Sequence, residues 1–267
     1  MSGIDSRSRP ETADGQSVRG GFDADLFGRL VAAEERSFWF RSRNRLIVQA
    51  VTQLVAPGER FLEIGCGTGF VLQALVHKCG VRATGGELFV EGLEYARQRV
   101  PEAEFALVDA REMPYEEEFA AVGAFDVLEH IDDDFAALRG LHRAVKPGGH
   151  VFITVPQHPW LWSAFDNHSQ HVRRYRRAEL VDRVMQAGLT PLRVTSFVTV
   201  LLPLMALSRL GQRIRRRDYD PIADLLLPAR VDRFLEKVLI AELRLIQRGV
   251  DLPAGGSLLL VARRERG

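Results

Sequence analysis

Glu63-Ile64-Gly65-Cys66-Gly67-Thr68-Gly69 decides the reading of this chain. The segment follows a predicted strand, Arg60 to Ile64, and opens a predicted helix, Phe70 to Cys79, the context that a nucleotide-binding glycine loop requires. Glycines at alternate positions let the backbone turn sharply and approach a ligand closely. About twenty residues further on, Glu87 ends a second strand, Arg82 to Glu87, and is followed by Leu88. A carboxylate there accepts both hydroxyls of a ribose. After a similar interval Asp109-Ala110 ends a third strand, Ala103 to Val108, with Asp109 placed for the amino group of an adenine and the Ala110 N–H for a ring nitrogen. A nicotinamide dehydrogenase needs glycine where Phe70 stands, and it seats a pyrophosphate at the helix start, where Glu63 would set an anion.

Outward from the loop the alternation continues. Val90 to Val100 reads as helix, Ala120 to Val127 as strand and Asp132 to Val145 as helix, broken by Pro147-Gly148-Gly149 before a strand over His150 to Val155. Strands alternating with helices of this length imply βαβ units and a mostly parallel sheet. A loop from Pro156 to Tyr175, a helix from Arg177 to Ala187 and a strand near Leu189 to Val198 follow, and Ser257 to Arg263 reads as the last strand. Upstream, Ala24 to Arg36 and a stretch ending near Val55 read as helices around Phe38-Trp39-Phe40.

With 267 residues the chain fits one large core, or one domain with an insertion. Apolar residues at 46% and charged residues at 27% are ordinary for a soluble enzyme. The 36 basic and 35 acidic residues leave a net charge of +1, no global field to gather nucleic acid, so no nucleic-acid partner is expected. Cys66 and Cys79 belong to no CxxC or Cys/His cluster, which argues against disulfide and zinc frameworks. Residues 1–21 are polar, without the apolar core of a signal peptide; the expectation is a disordered tail on a cytoplasmic protein.

Glu63 to Gly69, Glu87, Asp109 with Met113-Pro114, Phe125 to His130, and Lys146-Pro147-Gly148-Gly149 together resemble the class I methyltransferases that use S-adenosylmethionine (SAM). The likeness spans roughly Arg60 to Pro156 and is weaker in the flanks. It implies a Rossmann-like α/β fold whose seven-stranded sheet has an antiparallel last strand. It also implies a SAM site drawn from Glu63, Gly65, Gly67, Gly69, Glu87, Leu88, Asp109, Ala110 and Asp126. Glu87 departs from the aspartate often found at its position, a change that keeps the carboxylate.

Methyl transfer from a sulfonium is an in-line displacement whose leaving group needs no acid. The enzyme must align the nucleophile, exclude water and, where needed, remove a proton. His130, just after the fourth strand, and His171, beyond the fifth, are the candidate catalytic bases. Related methyltransferases carry a segment like Asp166 to Tyr175 in a substrate-facing loop, which makes Asp166, Arg174 and Tyr175 substrate-side candidates. The N-terminal helices of similar enzymes cover the cofactor. That places Arg43 at the methionine carboxylate and Trp39 and Phe40 against the acceptor. Asp126 to His130 is similar to the ExxEH segment of ubiquinone-pathway O-methyltransferases, for which a divalent metal has been proposed. Asp126 replaces the first glutamate and five adjacent residues make a thin ligand set, so no metal is expected.

Roughly sixty residues separate the last two strands, far beyond an ordinary connection. They hold helical apolar stripes, so the expected organisation is an N-terminal lid over 22–57, a SAM-binding domain over 58–200 and 253–267, and a helical cap over 201–252. The apolar run in 197–217, ending in Arg213, Arg215, Arg216 and Arg217, is too short to span a bilayer. It suits peripheral membrane contact, a substrate lid or a homodimer interface. Glu242, inside an apolar stripe, is expected to pair with an arginine. The functional expectation is methylation of a small, hydrophobic or lipid-linked acceptor, at oxygen before nitrogen. A SAM-binding regulatory protein without transfer is the alternative; an RNA methyltransferase is disfavoured by the charge balance.

Overall fold

Leu26–Glu34 (α1) and Phe38–Leu54 (α2) lead into the first strand; the computed structural model of the chain describes residues 26–212 and 226–266. The tail over 1–21 and the cluster Arg213, Arg215, Arg216 and Arg217 lie outside the described residues. Phe38-Trp39-Phe40 forms the first turn of α2, whose N-cap Ser37 accepts from the Trp39 N–H at 3.4 Å.

Seven strands follow: β1 (Arg60–Ile64), β2 (Arg82–Glu87), β3 (Glu104–Leu107), β4 (Phe119–Phe125), β5 (Val145–Pro156), β6 (Leu189–Phe197) and β7 (Ser257–Arg264). They form one sheet in the order β3-β2-β1-β4-β5-β7-β6. The pairs β1–β2, β1–β4, β2–β3 and β4–β5 are parallel, whereas β7 runs antiparallel to both β5 and β6. The order reverses between β1 and β4, the switch point outside whose carboxyl ends ligands bind in open α/β sheets. A last strand entering at the sheet edge would leave one side unpaired. Instead β7 sits between β5 and β6, with Phe152 opposite Val261 and Val194 opposite Leu260, and β6 takes the edge.

Side chains alternate along each strand, so neighbours feed opposite layers. Leu62, Val151, Leu258 and Leu260 enter one core, covered by α5 (Asp134–Ala144) and α7 (Arg177–Gln186). Phe61, Phe152, Leu259 and Val261 enter the other, beneath α2, α3 (Phe70–Ala74) and a helix at Ala229–Gln247, here α9. The helix after the glycine loop widens to a π-turn over Leu75–Cys79, α4 covers Val90–Arg99, and α6 spans Ala164–His168. Between β6 and β7 stand α8 (Leu202–Gln212) and α9. Among the described residues Glu242 on α9 pairs with no arginine: its carboxylate accepts from the Val200 N–H at 2.9 Å, because it lies over the donors that precede α8.

Candidate functional site

A cleft of about 670 Å³ opens at the carboxyl ends of β1, β2 and β4, where α1, α2, α8 and α9 close over the sheet edge. One wall of it is built around the glycine loop. Gly65 stands at φ 67°, and a Cβ there would lie 2.4 Å from Val127 Cγ2; only glycine lets the loop turn this close to the strand beside it. Gly65 and Cys66 donate to the Gly86 carbonyl at 2.8 and 3.1 Å, stitching the loop to β2. Glu87 is buried and accepts from the N–H groups of Gly67 (2.8 Å), Leu88 (2.8 Å) and Phe89 (3.2 Å). Burial pushes its pKa up, and these three donors offset that only in part, so it stays above its ordinary value. Leu88, Asp109 and Ala110 line the same wall. Asp109 is held bidentately by Arg111, at 3.0 Å from Nε and 2.5 Å from Nη2. Burial pushes that carboxyl up, but the hydrogen bonds of Arg111 prevail and leave it below its ordinary value.

Glu63 lines the cleft, buried, and its Oε2 has no hydrogen-bond partner among the described residues. Burial lifts its pKa well above the usual carboxylate range; Arg43 opposes this, while Glu87 and Glu34 add to it. An orphaned buried carboxyl aimed into a cleft fits a cationic group, and the amino group of SAM is one. Arg43 is itself occupied: it ion-pairs with Asp126, donates to the Phe125 carbonyl at 2.8 Å and stands 5.3 Å from the Trp39 ring centroid. Its placement at a cofactor carboxylate therefore gives way to a brace between α2 and the end of β4, although Arg43 and Asp126 both line the cleft.

Two residues beside the glycine loop, Glu34 and Arg99, escaped the sequence reading, and the role of Thr68 within the loop was not assigned. Glu34, on α1, accepts from Thr68 Oγ1 and Arg99 Nη1, both at 2.6 Å, and Arg99 also donates to Thr68 Oγ1 at 2.7 Å. This buried triad ties the N-terminal helix to the glycine loop and to α4. The available signal was Glu34 itself, the one acidic residue of α1.

The acceptor-side wall comes from distant segments. His171 contacts Asp166 through Nδ1 at 2.9 Å, and its ring meets that of His130 edge-on at 4.7 Å. Asp166 is fully buried and also accepts from the Ser163 N–H (2.8 Å), Ser163 Oγ (2.8 Å) and Arg174 Nε (2.7 Å). Burial alone would raise its pKa; His171 and Arg174 together drive it below the usual carboxylate range. Asp166 thus lies behind the wall and holds His171 rather than a ligand. Arg174 lines the cleft while donating to Asp166 and, at 3.1 Å, to the Gln157 carbonyl. Tyr175 is not a cleft residue: fully buried, its hydroxyl donates to Asp134 at 2.6 Å, so it anchors the loop in the core. His130 lines the cleft, with its pKa pushed down to about 3 by burial and then by His171, which makes it a poor proton acceptor near neutrality.

Glu129 is the main acceptor-side residue that sequence reasoning left unassigned. It is buried on the cleft, neither carboxylate oxygen has a hydrogen-bond partner on another described residue, and burial followed by the Asp126 charge lifts its pKa well above the ordinary value. In its protonated form it would be a hydrogen-bond donor. Donor atoms of Glu129, His130 and His171 lie within 4.8 Å of one another, a set that could hold a metal ion and that the segment Asp126 to His130 alone does not offer, since Asp126 is turned to Arg43. Trp39 and Phe40 meet edge-on at 4.8 Å on the α2 side, and Leu204, Met205 and Leu235 supply an apolar rim from α8 and α9.

Comparison with known proteins agrees with this geometry. The profile of a family described as a methyltransferase domain matches residues 35–194. A ubiquinone biosynthesis O-methyltransferase of Pseudomonas aeruginosa (strain UCBPP-PA14) is 34% identical over 110 residues, which is 38% of this chain and 47% of that protein. The chain thus spans about half the length of that relative. A demethylmenaquinone methyltransferase of Chlorobaculum parvum is 27% identical over 162 residues, 57% of this chain and 65% of that one. Among solved structures, the methyltransferase in a complex with the Haloferax volcanii Trm112 methyltransferase activator superposes with a TM-score of 0.64 at 19% identity. The superposition covers 94% of this chain and 100% of that one, a likeness of fold.

Proposed function

The chain belongs to the methyltransferase-domain family, and from that premise we propose that it transfers the methyl group of SAM to a hydroxyl oxygen of a small, hydrophobic or lipid-linked acceptor. The observation that carries this reading is the pairing of two walls on one cleft: Glu63, Glu87 and Asp109 on one side, and His171 backed by the buried Asp166 on the other. SAM supplies an electrophilic methyl whose sulfur leaves as a neutral thioether. In this reading Glu87 takes the ribose hydroxyls, Asp109 the adenine amino group and Glu63 the amino group of the methionine moiety. With Nδ1 held by Asp166, His171 keeps Nε2 as its basic nitrogen and removes the acceptor's hydroxyl proton as the oxygen attacks. The neutral Glu129 donates to an oxygen of the acceptor, and Trp39, Met205 and Leu235 hold its apolar part and exclude water. The lid over 22–57, the core over 58–200 and 253–267 and the cap over 201–252 are proposed as the working units of this arrangement.

The O-methyltransferase and demethylmenaquinone relatives support an acceptor of quinone-like size and apolarity. The test is calorimetric titration with SAM, S-adenosylhomocysteine and NAD, together with methyl transfer to a panel of phenolic, catecholic and amine acceptors. The expected result is binding of the first two ligands and not of NAD, with phenolic products that disappear in His171→Ala. Comparable NAD binding overturns the cofactor reading. SAM binding with no transfer to any acceptor would favour a regulatory SAM-binding protein instead.

A further inference from the structure

Helix α9 sorts its charges onto separate faces. Its acids turn inward and are consumed. Asp232 accepts from the Phe38 N–H and from Arg41, both at 2.6 Å; Glu236 pairs with Arg41 and Arg45; Glu242 caps the chain before α8. Its cations turn outward: Arg230, Arg233, Lys237, Arg244 and Arg248 are all exposed, and none of them forms an ion pair among the described residues. Beside this band Val231, Phe234, Val238, Ala241 and Leu245 recur at alternating intervals of three and four residues, one continuous stripe on a helix of 3.6 residues per turn. Phe234 is 64% exposed, and Val231 and Leu245 are each 45% exposed. From α8, Leu207 is 67% exposed, and Leu204, 58% exposed, lines the cleft together with Leu235 of α9.

We propose that this face of α9 lies in the plane of an anionic lipid bilayer, with the apolar stripe at the headgroup–acyl boundary and the five cations among lipid phosphates. Charge selects this occupant. A second copy docked through the same stripe would bring two basic bands together, with no outward acid on either helix to answer them. A nucleic acid would match the cations but not the stripe of Phe, Val and Leu. No described helix is long and apolar enough to cross a membrane, so the contact is one of lying on the surface, as amphipathic helices with a basic flank do. With Leu204 and Leu235 at the rim, the cleft then opens beside the bilayer, where an acceptor with a lipid tail enters without leaving it. That last step rests on the function proposed above; the bilayer contact does not.

Co-sedimentation of the full chain with phosphatidylcholine vesicles, with and without about 30% phosphatidylglycerol, tests the contact. SAM affinity is measured in parallel as the readout of an intact fold. The expected result is binding at least tenfold stronger to the anionic vesicles, weakened at least tenfold by Lys237→Glu/Arg244→Glu and, independently, by Phe234→Ser, with SAM affinity unchanged. Equal binding to both vesicle types, or variants that sediment like the wild type, overturns the proposal. So does a light-scattering dimer that Phe234→Ser dissolves, which would give the stripe to a second copy. Loss of SAM binding in the wild type with vesicle binding intact would instead fault the cofactor reading alone.

Discussion

On the wall proposed to bind the cofactor, Glu63, Gly67 and Glu87 sit within one β-α-β unit, and the glycine loop offers the Gly67 N–H to Glu87. The wall proposed to face the acceptor takes His130 from just after β4, His171 from the loop after α6, Trp39 from α2 and Leu204 and Leu235 from the segment between the last two strands. Backbone donors fixed by a glycine turn tolerate little change. Side chains gathered from separate elements can be exchanged one at a time, so one cofactor site can serve many acceptors. Damage to the acceptor wall should therefore change turnover, and damage to the cofactor wall should change binding.

The largest expected effect tests the acceptor wall. His171→Ala should lower turnover roughly 10²–10⁴-fold with SAM affinity little changed, and Asp166→Asn should fall between that variant and the wild type. Near-wild-type turnover in both would mean that alignment alone carries the transfer. On the opposite wall, Glu87→Ala should weaken SAM binding by about 1–3 kcal/mol, since a carboxylate that accepts charge-assisted hydrogen bonds is lost. An unchanged dissociation constant would remove Glu87 from the ribose role.

Tyr175→Phe sharpens the division between wall and anchor. Thermal unfolding should show a loss of about 1 kcal/mol, the usual worth of one buried hydrogen bond, while kcat stays put; a drop in kcat would return Tyr175 to the site. Glu63→Gln probes charge with a definite sign. The folded protein holds Glu63 well above its ordinary value of 4.5, so its contribution to stability is complete below that pH and is lost as pH rises. Without SAM, the melting temperature of Glu63→Gln relative to wild type should therefore climb between about pH 5 and 8, while its SAM affinity falls. A flat difference across that range would mean that Glu63 ionises normally. The smallest expected effect is none: complete chelation of divalent metal should leave methyl transfer unchanged, and a loss restored by magnesium or zinc would assign Glu129, His130 and His171 to a metal.

What could be read from the chain follows the same division. The glycine loop, Glu87 and Asp109 were visible because strand-end chemistry recurs with the βαβ repeat. Glu34 was not, because its partners Thr68 and Arg99 lie 34 and 65 residues away. The Asp166 to Tyr175 segment was marked as functional, yet its internal roles were not separable. Only burial tells that Asp166 supports His171, that Arg174 braces the loop and that Tyr175 belongs to the core.

The sequence by itself determined the alternation of strands and helices, the glycine turn and the identity of the carboxylates at the strand ends. Each of these depends on periodicity or on a local backbone constraint, and both are carried by neighbouring residues. The tertiary structure alone decided that β7 enters between β5 and β6, that Arg43 answers Asp126, that Glu242 caps a loop, and that Glu129 is buried beside the cleft with no side-chain partner among the described residues. The physical reason is desolvation: whether a charged side chain pairs, caps or holds its proton depends on what water it has lost and what lies opposite. Packing of distant segments sets both.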